Sequence, residues 1–270
     1  MINRLIESKH NQHVKYWRDL AQQNRLDAQD SLWIEGIHLC QEALNSDWPI
    51  QSWIITPQAA ENAEVQKFLS QSSSRIERFT VNQNVFDHIS LLNNPFGIAA
   101  VATAPSIRNH LQDIDPNADV LCLIGVQDPG NIGTLLRSAV ACGIDQIITT
   151  TAGASLWHPK VLRAAMGAHF KLRLSCELTQ TTLIDGLTNQ KFSLPIQTYA
   201  LVAHSGLSIY QQDLSQPALW LLGAEGQGLP DELQKCCQGL TIPHRGHMES
   251  LNVAVAGSIA LFEQQRQREL

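Results

Sequence analysis

The second half of the sequence contains three segments in which polar side chains follow an apolar run. The first segment holds Asn131 and Arg137, the second holds Glu225, and the third holds Ser250 and Asn252. In open α/β sheets, ligands bind in the crevice outside the carboxyl ends of the strands. We therefore expect these three segments to meet and to form one composite site.

Each segment also has a purely structural interpretation. Asn131 and Ser250 stand near the expected starts of two helices, and their side chains are of the type that caps such a start. Arg137 fits a surface position on its helix or an ion pair with Asp128. Taken alone, the third segment fits a capped helix as well as it fits a site, so the composite site rests on all three segments together.

The composition favours two domains and no membrane span. The 270 residues correspond to about two domains, and the 44% that are hydrophobic suffice for a sizeable core. No apolar run approaches the roughly 20 residues that a membrane span needs, and the first residues lack the apolar core of a signal peptide. The six cysteines are scattered without a C-x-x-C pair, which favours a reduced, cytoplasmic protein.

Two basic stretches suit a nucleic-acid partner despite a net charge of −6, because phosphate contacts need only a local basic surface. Near the N-terminus, Lys9, Lys15 and Arg18 alternate with aromatic residues such as Trp17. Cations mixed with rings suit RNA, but Trp17 could equally dock on a core.

The second basic stretch, 146–176, contains no acidic residue and includes Lys160 and Arg163, together with Lys171, Arg173 and two histidines. It fits a solvated helix face or an RNA-facing surface.

The alternation of elements predicts an α/β fold in two parts. Residues 1–104 form a smaller β/α unit with a helical hairpin or arm over 1–30, and the polar stretch 105–117 is a linker. Residues 118–270 alternate strands and helices, which implies a largely parallel sheet covered on both faces. The expected strands there are 120–126, 146–151, 198–203 and the runs beginning at Leu219 and Leu240; the expected helices are 132–142, capped by Gly143, 160–166, and one ending near Arg268.

Three motifs in the second part resemble those of a known family. N-x-G-x-x-x-R runs from Asn131 to Arg137, G-x-E-x-x-G from Gly223 to Gly228, and S-L-N-V covers 250–253. In order, spacing and flanking residues they resemble the motifs of the SpoU/TrmH family of RNA ribose 2'-O-methyltransferases, within the SPOUT superfamily. Further segments that resemble the family are RAAMGAHF at 163–170, IEGIHL at 34–39 and NNPFGIAAV at 93–101. His244 departs from the family, which usually has Met there.

The resemblance implies a fold, a cofactor and partners. The fold is a C-terminal α/β-knot (deep trefoil knot) SPOUT domain over 118–270, with a smaller N-terminal α/β substrate-binding domain over 1–104. The knot loops would hold S-adenosyl-L-methionine, and two copies would form a homodimer through the C-terminal domain. The implied reaction is methyl transfer to a ribose 2'-hydroxyl of structured RNA, with rRNA as the first substrate class and tRNA as the second.

Two other functions fit parts of the sequence. A catalytically silent RNA-binding or ribosome-assembly factor could use the same scaffold, but the intact motif residues argue against it. A different nucleotide-binding α/β enzyme is disfavoured because the phosphate-loop signatures are missing, and the glycines of 223–228 are not a Rossmann fingerprint.

Site residues follow from motif positions and from the basic stretches. The catalytic candidates are Asn131, Arg137, Glu225, Ser250 and Asn252. The cofactor-binding candidates are Leu222, Gly223, Glu225, Gly226, Gly228, Ile242, Pro243, Ser250 and Leu251. The RNA-binding candidates are Lys9, Lys15, Arg18, Lys160 and Arg163. No metal is expected, because His158, His244 and His247 match no common ligand spacing; we interpret them as loop or RNA-facing residues.

Arg137 has two possible roles. In the family the matching arginine is essential and has been proposed as the general base. A guanidinium stays protonated in proteins, so a bidentate grip on the target phosphate is easier to defend. Glu225 could pair with Arg137 or anchor the nearby loops by accepting amide protons.

Overall fold

The chain divides into two compact units. The computed structural model describes residues 5–23, 25–104, 114–189, 197–246 and 249–269. The first unit comprises Met1–Ser106 with Trp157–Phe170, and the second comprises Ile107–Leu156 with Lys171–Leu270. Trp157–Phe170 thus packs in the first unit, although it lies inside the range expected to form the second domain. Trp48 anchors this segment, because its ring packs against that of Phe170 with 4.6 Å between centroids.

The first unit is built on a four-stranded mixed sheet. The strands are β1 (Ser31–Glu35), β2 (Ile50–Ile55), β3 (Glu77–Thr80) and β4 (Ile98–Thr103). Their order is β1-β4-β2-β3, with β4 antiparallel to β1 and β2, and β3 parallel to β2. The helices up to residue 89 are α1 (Gln12–Gln22), α2 (Ile37–Asn45), α3 (Pro57–Ala60), α4 (Ala63–Gln71) and α5 (Gln83–Ile89).

Helix α1 explains the role of Trp17. Trp17 is 1% exposed, and its ring meets that of Phe79 edge-on with 5.0 Å between centroids. Val14 and Leu20 are buried with it, at the spacing of one helix face. Trp17 therefore docks on the core, whereas Lys15 is exposed. Among the described residues before β1, α1 is a single helix and not a hairpin.

The second unit is built on a seven-stranded sheet in which all neighbouring strands are parallel, as expected. The strands are β5 (Val120–Ile124), β6 (Gln146–Thr150), β7 (Arg173–Leu178), β8 (Gln197–Leu201), β9 (Leu207–Ser208), β10 (Ala218–Gly223) and β11 (Gln238–Thr241). Their order is β7-β6-β5-β10-β8-β11-β9. Every residue of β5 and β10 is buried, as in a sheet covered on both faces.

The remaining helices follow residue 128. They are α6 (Pro129–Ala141), α7 (Pro159–Ala164, in the first unit), α8 (Gln180–Asn189), α9 (Asp231–Gln234) and α10 (Val253–Arg268). No helix in the described part of the chain has both the length and the apolar character of a membrane span.

The pattern of apolar residues in the sequence does not predict β7 and α8. Helix α8 reads QTTLIDGLTN, and its threonines and glycine are weak helix formers. Strand β7 begins at Arg173, which forms an exposed bidentate pair with Asp145 at 2.9 and 3.0 Å. Both elements therefore depend on contacts within the unit more than on local sequence.

The starts of α6 and α10 differ from the expected ones. Helix α6 is capped by Asp128, whose Oδ1 accepts the amide of Asn131 at 2.8 Å, so Asn131 is not the cap. Helix α10 is capped by Asn252, which accepts the amides of residues 254 and 255 at 2.9 and 3.2 Å, so Ser250 is not the cap. The expected end of α6 is confirmed: Gly143 has φ +76°, which suits a left-handed C-terminal cap.

Helix α10 is tied back to the middle of the sheet. The buried indole of Trp220 donates to Gln264 at 2.8 Å. At the end of the helix, Arg268 Nη2 donates to Asp119 at 3.0 Å. These two bonds fix α10 against β10 and the start of β5.

The chain crosses itself at the edge of the sheet. Strand β11 lies between β8 and β9, so the connection 202–206 must pass over β11. The backbones meet there, because Val202 N donates to Leu240 O at 2.9 Å. A Cβ on Gly206 would lie 2.8 Å from Leu240 C and 2.9 Å from Thr241 N, so only glycine fits this crossing.

Candidate active site

A cavity of about 520 Å³ opens at the carboxyl ends of β10 and β11. Its walls come from four segments: the end of β8 with the residues that follow it, the end of β10 with its turn, the chain after β11, and the start of α10. The second and third expected segments thus meet at this cavity, whereas Asn131 and Arg137 of the first segment do not line it. The cofactor-binding candidates that line the cavity are Leu222, Gly223, Glu225, Gly226, Gly228, Ile242, Ser250 and Leu251.

Pro243 is the one cofactor-binding candidate that does not line the cavity. It is exposed, while its neighbours Ile242 and His244 both line the wall. This alternation is what an extended segment produces, because successive side chains point to opposite sides. His244 also donates to the Ile242 carbonyl through Nδ1 at 3.0 Å, in the tautomer protonated at that nitrogen, so its ring stays near the wall.

The turn after β10 requires glycine at Gly223 because two backbones touch there. A Cβ on Gly223 would collide with the carbonyl of Gly228 and lie 2.6 Å from Leu229 N. The turn is closed by a hydrogen bond from Gly228 N to Ala224 O at 2.9 Å. Gly226 and Gly228 have φ of +77° and +69°, which glycine adopts without steric cost. The result is a tight loop whose backbone faces the cavity.

Asn131, Glu225 and Asn252 form a hydrogen-bonded cluster that joins the three motifs. Asn131 Nδ2 donates to Glu225 Oε1 at 2.7 Å, and Asn252 Nδ2 donates to Asn131 Oδ1 at 3.0 Å. Asn252 caps α10 with its own Oδ1. Because each of these side chains is held by another, their positions are fixed at the mouth of the cavity. Ser250 lines the cavity and is exposed.

The Glu225 carboxylate is stabilised in its ionised form. Partial burial raises its pKa, but hydrogen bonds from the Asn131 side chain and from nearby backbone amides outweigh this and lower the pKa below its ordinary value of 4.5. One of these donors is Gln127 N, at 3.2 Å from Oε2. Sequence reasoning did not find Gln127, because an amide donor carries no side-chain signature. Glu225 thus anchors the loops by accepting amide protons, one of its two expected roles.

Arg137 stands apart from this cluster. It lies on the exposed face of α6, with Thr134 and Ala141. Within the described part of the chain, no hydrogen bond or ion pair holds its guanidinium. The alternative of an ion pair with Asp128 is wrong, since that carboxylate caps α6. Arg137 is therefore free to bind a group from outside the chain.

The histidines are placed differently from one another. His158 caps α7, accepting the Lys160 amide through Nδ1 at 3.0 Å. Burial, followed by the charges of Lys160 and Arg163, lowers the pKa of His158. His169, from the same basic stretch, is buried, so it cannot face RNA. His247 lies outside the described residues. Within the described residues, no group of three metal-ligating side chains occurs.

The five RNA-binding candidates all belong to the first unit. Lys9, Lys15 and Lys160 are exposed, and Arg18 and Arg163 are half-buried.

Profiles of two families match the chain. Residues 118–262 match the SpoU rRNA Methylase family, and residues 11–100 match the MRM3-like substrate binding domain.

Curated relatives and a solved structure match nearly the whole chain. The 23S rRNA (guanosine(2553)-2'-O)-methyltransferase RlmP of Bacillus subtilis is 28% identical, over 95% of this chain and 97% of the relative. A Synechocystis protein, described as an uncharacterised tRNA/rRNA methyltransferase, is 30% identical over 97% of this chain and 94% of the relative. The crystal structure of AdoMet-bound rRNA methyltransferase from Sinorhizobium meliloti superposes with a TM-score of 0.82 at 29% identity, covering 97% of both chains.

Proposed function

Because the chain belongs to the SpoU rRNA methylase family, we propose that it transfers a methyl group from S-adenosyl-L-methionine to a ribose 2'-hydroxyl of structured RNA. Ribosomal RNA is the first substrate class and transfer RNA the second, in line with the names of its relatives. The observation that carries the proposal is the cluster of Asn131, Glu225 and Asn252, hydrogen-bonded together beside a cavity at the strand ends.

The cavity fits the cofactor in size and chemistry. Its volume of about 520 Å³ lies within the roughly 300–1,000 Å³ of small-molecule sites. Leu222, Ile242 and Leu251 would form apolar walls for the adenine, and the backbone of 223–228 would supply hydrogen bonds. Bound there, the cofactor supplies an electrophilic methyl group. A relative of the same fold has been crystallised with AdoMet.

The chain's own residues would position the ribose. Holding two reactants in line supplies much of the rate of a transfer reaction. The Asn131 amide has two N–H donors, and Glu225 uses one of them, so the other can orient the ribose. The lowered pKa of Glu225 keeps it ionised at neutral pH, so it serves as a fixed acceptor, and the hydroxyl proton leaves to a neighbouring group or water.

Arg137 would grip the target phosphate through its planar guanidinium. Because Arg137 makes no hydrogen bond to the cluster within the described part of its own chain, we assign it to the site of a second copy. The C-terminal domain would then form a homodimer. Val255 and Phe262 on α10 support this, since they are 50% and 49% exposed and α10 packs against α6, which carries Arg137.

A deep trefoil knot is the proposed topology of the second unit. The passage of 202–206 over β11 supports it, because the chain that follows β11 leads into α10 and back to the sheet. The knot would hold the turn after β10 and the start of α10 together around the cavity.

The first unit would bind RNA through Lys9, Lys15, Arg18, Lys160 and Arg163. We place the protein in the cytoplasm, which agrees with six free cysteines. A catalytically silent RNA-binding factor is the weaker alternative, because the motif residues are intact and meet.

Mass-spectrometric mapping of ribose methylation in total RNA, from cells with and without the protein, tests the function. We expect one or a few 2'-O-methylated nucleotides to disappear with the protein, and purified protein to restore them in unmodified RNA. An identical methylation map, together with retained RNA binding, would favour the silent factor.

A further inference from the structure

A groove on the first unit lies between α1 and α5. It is an open cavity of about 490 Å³, lined by residues that include Lys9, Arg18, Gln22, Asn84, His88 and Leu91. Resting on the proposed function, we propose that this groove binds one unpaired nucleotide of the substrate RNA. The phosphate would lie on the cations and the base on Leu91.

Arg18, one of the two cations of the groove, is held in place before any ligand binds. Arg18 Nη1 donates to the His88 carbonyl at 2.9 Å and lies within 2.8 Å of the ring nitrogens of His88. Burial, followed by the charges of Arg18, Lys9 and His10, lowers the pKa of His88. The part of this shift that comes from the charges of Arg18 and Lys9 indicates a positive potential in the groove, which attracts phosphate.

One carboxylate, Asp87, also lines the groove. Its Oδ1 accepts a hydrogen bond from Gln83 at 2.7 Å. Two permanent cations, Lys9 and Arg18, therefore face one carboxylate that already has a donor, so the groove keeps a net positive charge.

The rest of the groove suits a base. Gln22 and Asn84 are exposed on the two facing helices, and their amides offer both donors and acceptors. Leu91 is 47% exposed and provides an apolar contact for a ring. Its neighbour Ser90 accepts the Leu92 amide at 2.9 Å and donates to the Glu35 carboxylate, so Leu91 stands on an anchored loop.

A concave groove favours an unpaired nucleotide over a duplex. Sequence-specific recognition of RNA targets loops and bulges whose bases are splayed out, whereas duplex RNA is read by shape across a shallow minor groove. Leu91 also lines a small crevice with Arg163 and with Glu35, whose carboxylate already accepts from Trp33 and Ser90, so the next phosphate of the strand would meet a second arginine. The groove thus links residues from both basic stretches.

The test measures how the full-length protein binds a labelled RNA single strand of about 12 nucleotides by fluorescence anisotropy. Lys9→Glu should weaken binding about tenfold. Lys9→Ala should reduce the salt slope, the magnitude of the slope of log binding constant against log salt concentration, by about 0.7, because one cation fewer then meets a phosphate. Asn84→Ala should weaken binding about fivefold without changing the slope, since an amide carries no charge to neutralise a phosphate. The matched control is Lys67→Glu, an exposed lysine on α4 outside the groove, which should stay within about twofold of wild type.

The outcomes separate this groove from the proposed function. If the groove variants bind RNA as tightly as Lys67→Glu does, the proposal that the groove binds a nucleotide is overturned. A duplex that binds as tightly as the single strand would overturn it too. Competition by polyaspartate as strong as that by RNA would overturn it too, and would indicate an acidic protein partner. Because both groove side chains are exposed, the variants should keep the wild-type melting temperature and cofactor binding. If the groove variants lose RNA affinity as expected but the protein transfers no methyl group to any RNA, only the proposed methyltransferase function is rejected.

Discussion

The two units present their functional side chains in opposite ways. In the second unit, Asn131, Glu225 and Asn252 bond to one another. In the first unit, Lys9 and Lys15 carry exposed charges. Groups held in place before the reaction cost no reorganisation during it, whereas exposed cations gain their partners only when phosphate binds. Apart from the exposed Arg137, the candidate site of the second unit is therefore held in place in advance, whereas the exposed lysines of the first unit are available to a partner.

The difference also predicts different responses to salt. Contacts between exposed cations and phosphates weaken steeply as salt rises. Hydrogen bonds within a partly buried cluster are screened much less. Salt should thus act mainly on the RNA affinity and little on cofactor binding.

The largest effect is expected at Arg137. Arg137→Lys keeps the charge but loses the planar fork, so kcat should fall about 100-fold or more. Cofactor binding should stay nearly intact, because the cavity is built from other segments. The measurement is methyl transfer from labelled cofactor to unmodified rRNA, with Arg137→Ala alongside and Arg75→Lys, an exposed arginine of the first unit, as control. Near-wild-type turnover in both Arg137 variants would remove this residue from the site.

Breaking the proposed dimer should come next. Phe262→Glu places a charge on an exposed apolar position of α10, so light scattering should show a monomer and activity should fall with it. Tyr210→Glu, at a residue 53% exposed in the same unit, is the control and should leave the dimer intact. A wild-type protein that is monomeric and fully active would refute the shared site.

Two glycines of one turn should differ in stability. The Cβ of Gly223→Ala would meet the backbone of Gly228, so the free energy of unfolding should fall by about 3 kcal/mol. Cofactor binding should disappear as well. At Gly226 nothing lies within 4 Å of an added Cβ, so Gly226→Ala should cost only the left-handed backbone strain of about 1 kcal/mol. Urea denaturation and calorimetry measure both. Equal costs would show that the backbone contact at Gly223 is unimportant.

The Asn131–Glu225 bond should leave a pH signature. Burial raises the pKa of Glu225, but the hydrogen bonds together lower it below 4.5, and Asn131→Ala removes one of them. A lowered folded-state pKa stabilises the fold above the unfolded pKa, and this is lost as pH falls through the folded pKa. Near neutral pH the free energy of unfolding of the wild type should therefore exceed that of Asn131→Ala. This difference should shrink as the pH falls below 4.5. Denaturation at a series of pH values measures it, with Asn94→Ala as control; a gap independent of pH would contradict the role of this bond.

The smallest effects are expected at two cations of the basic stretch 146–176, Arg173 and Lys160. Arg173 is paired with Asp145, so Arg173→Ala should cost less than about 1 kcal/mol and leave the salt slope of RNA binding unchanged. Lys160 is exposed, and Lys160→Ala should lower that slope by about 0.7 to 0.9. Anisotropy at several salt concentrations distinguishes them. An equal change in both would mean that the stretch acts as one surface.

The alternation of strands and helices predicted the parallel sheet. The polar residues that follow the apolar runs predicted the meeting of Asn131, Glu225 and Asn252, because such residues lie at strand ends. They did not predict which residue caps a helix. More than one cap-forming residue lies near the start of each of α6 and α10, and only the backbone conformation selects Asp128 and Asn252.

Interactions between distant residues could not be predicted from the sequence. The basic stretch looked uniform, yet His169 is buried and Arg173 is paired, since partners such as Asp145 are set by the sheet. Gln127 was missed because its contribution to Glu225 is a backbone amide, which any residue type except proline could provide.

The bond between Arg268 and Asp119 joins residues that are 149 positions apart. At roughly 5–20 residues per second, a ribosome needs about 7 to 30 s to synthesise that interval. Strand β5 must therefore wait in the nascent chain for the helix that covers it. The first unit lacks this delay for its sheet, whose last strand ends at Thr103. The sheet of the first unit should consequently form on the ribosome well before the candidate site of the second unit is complete.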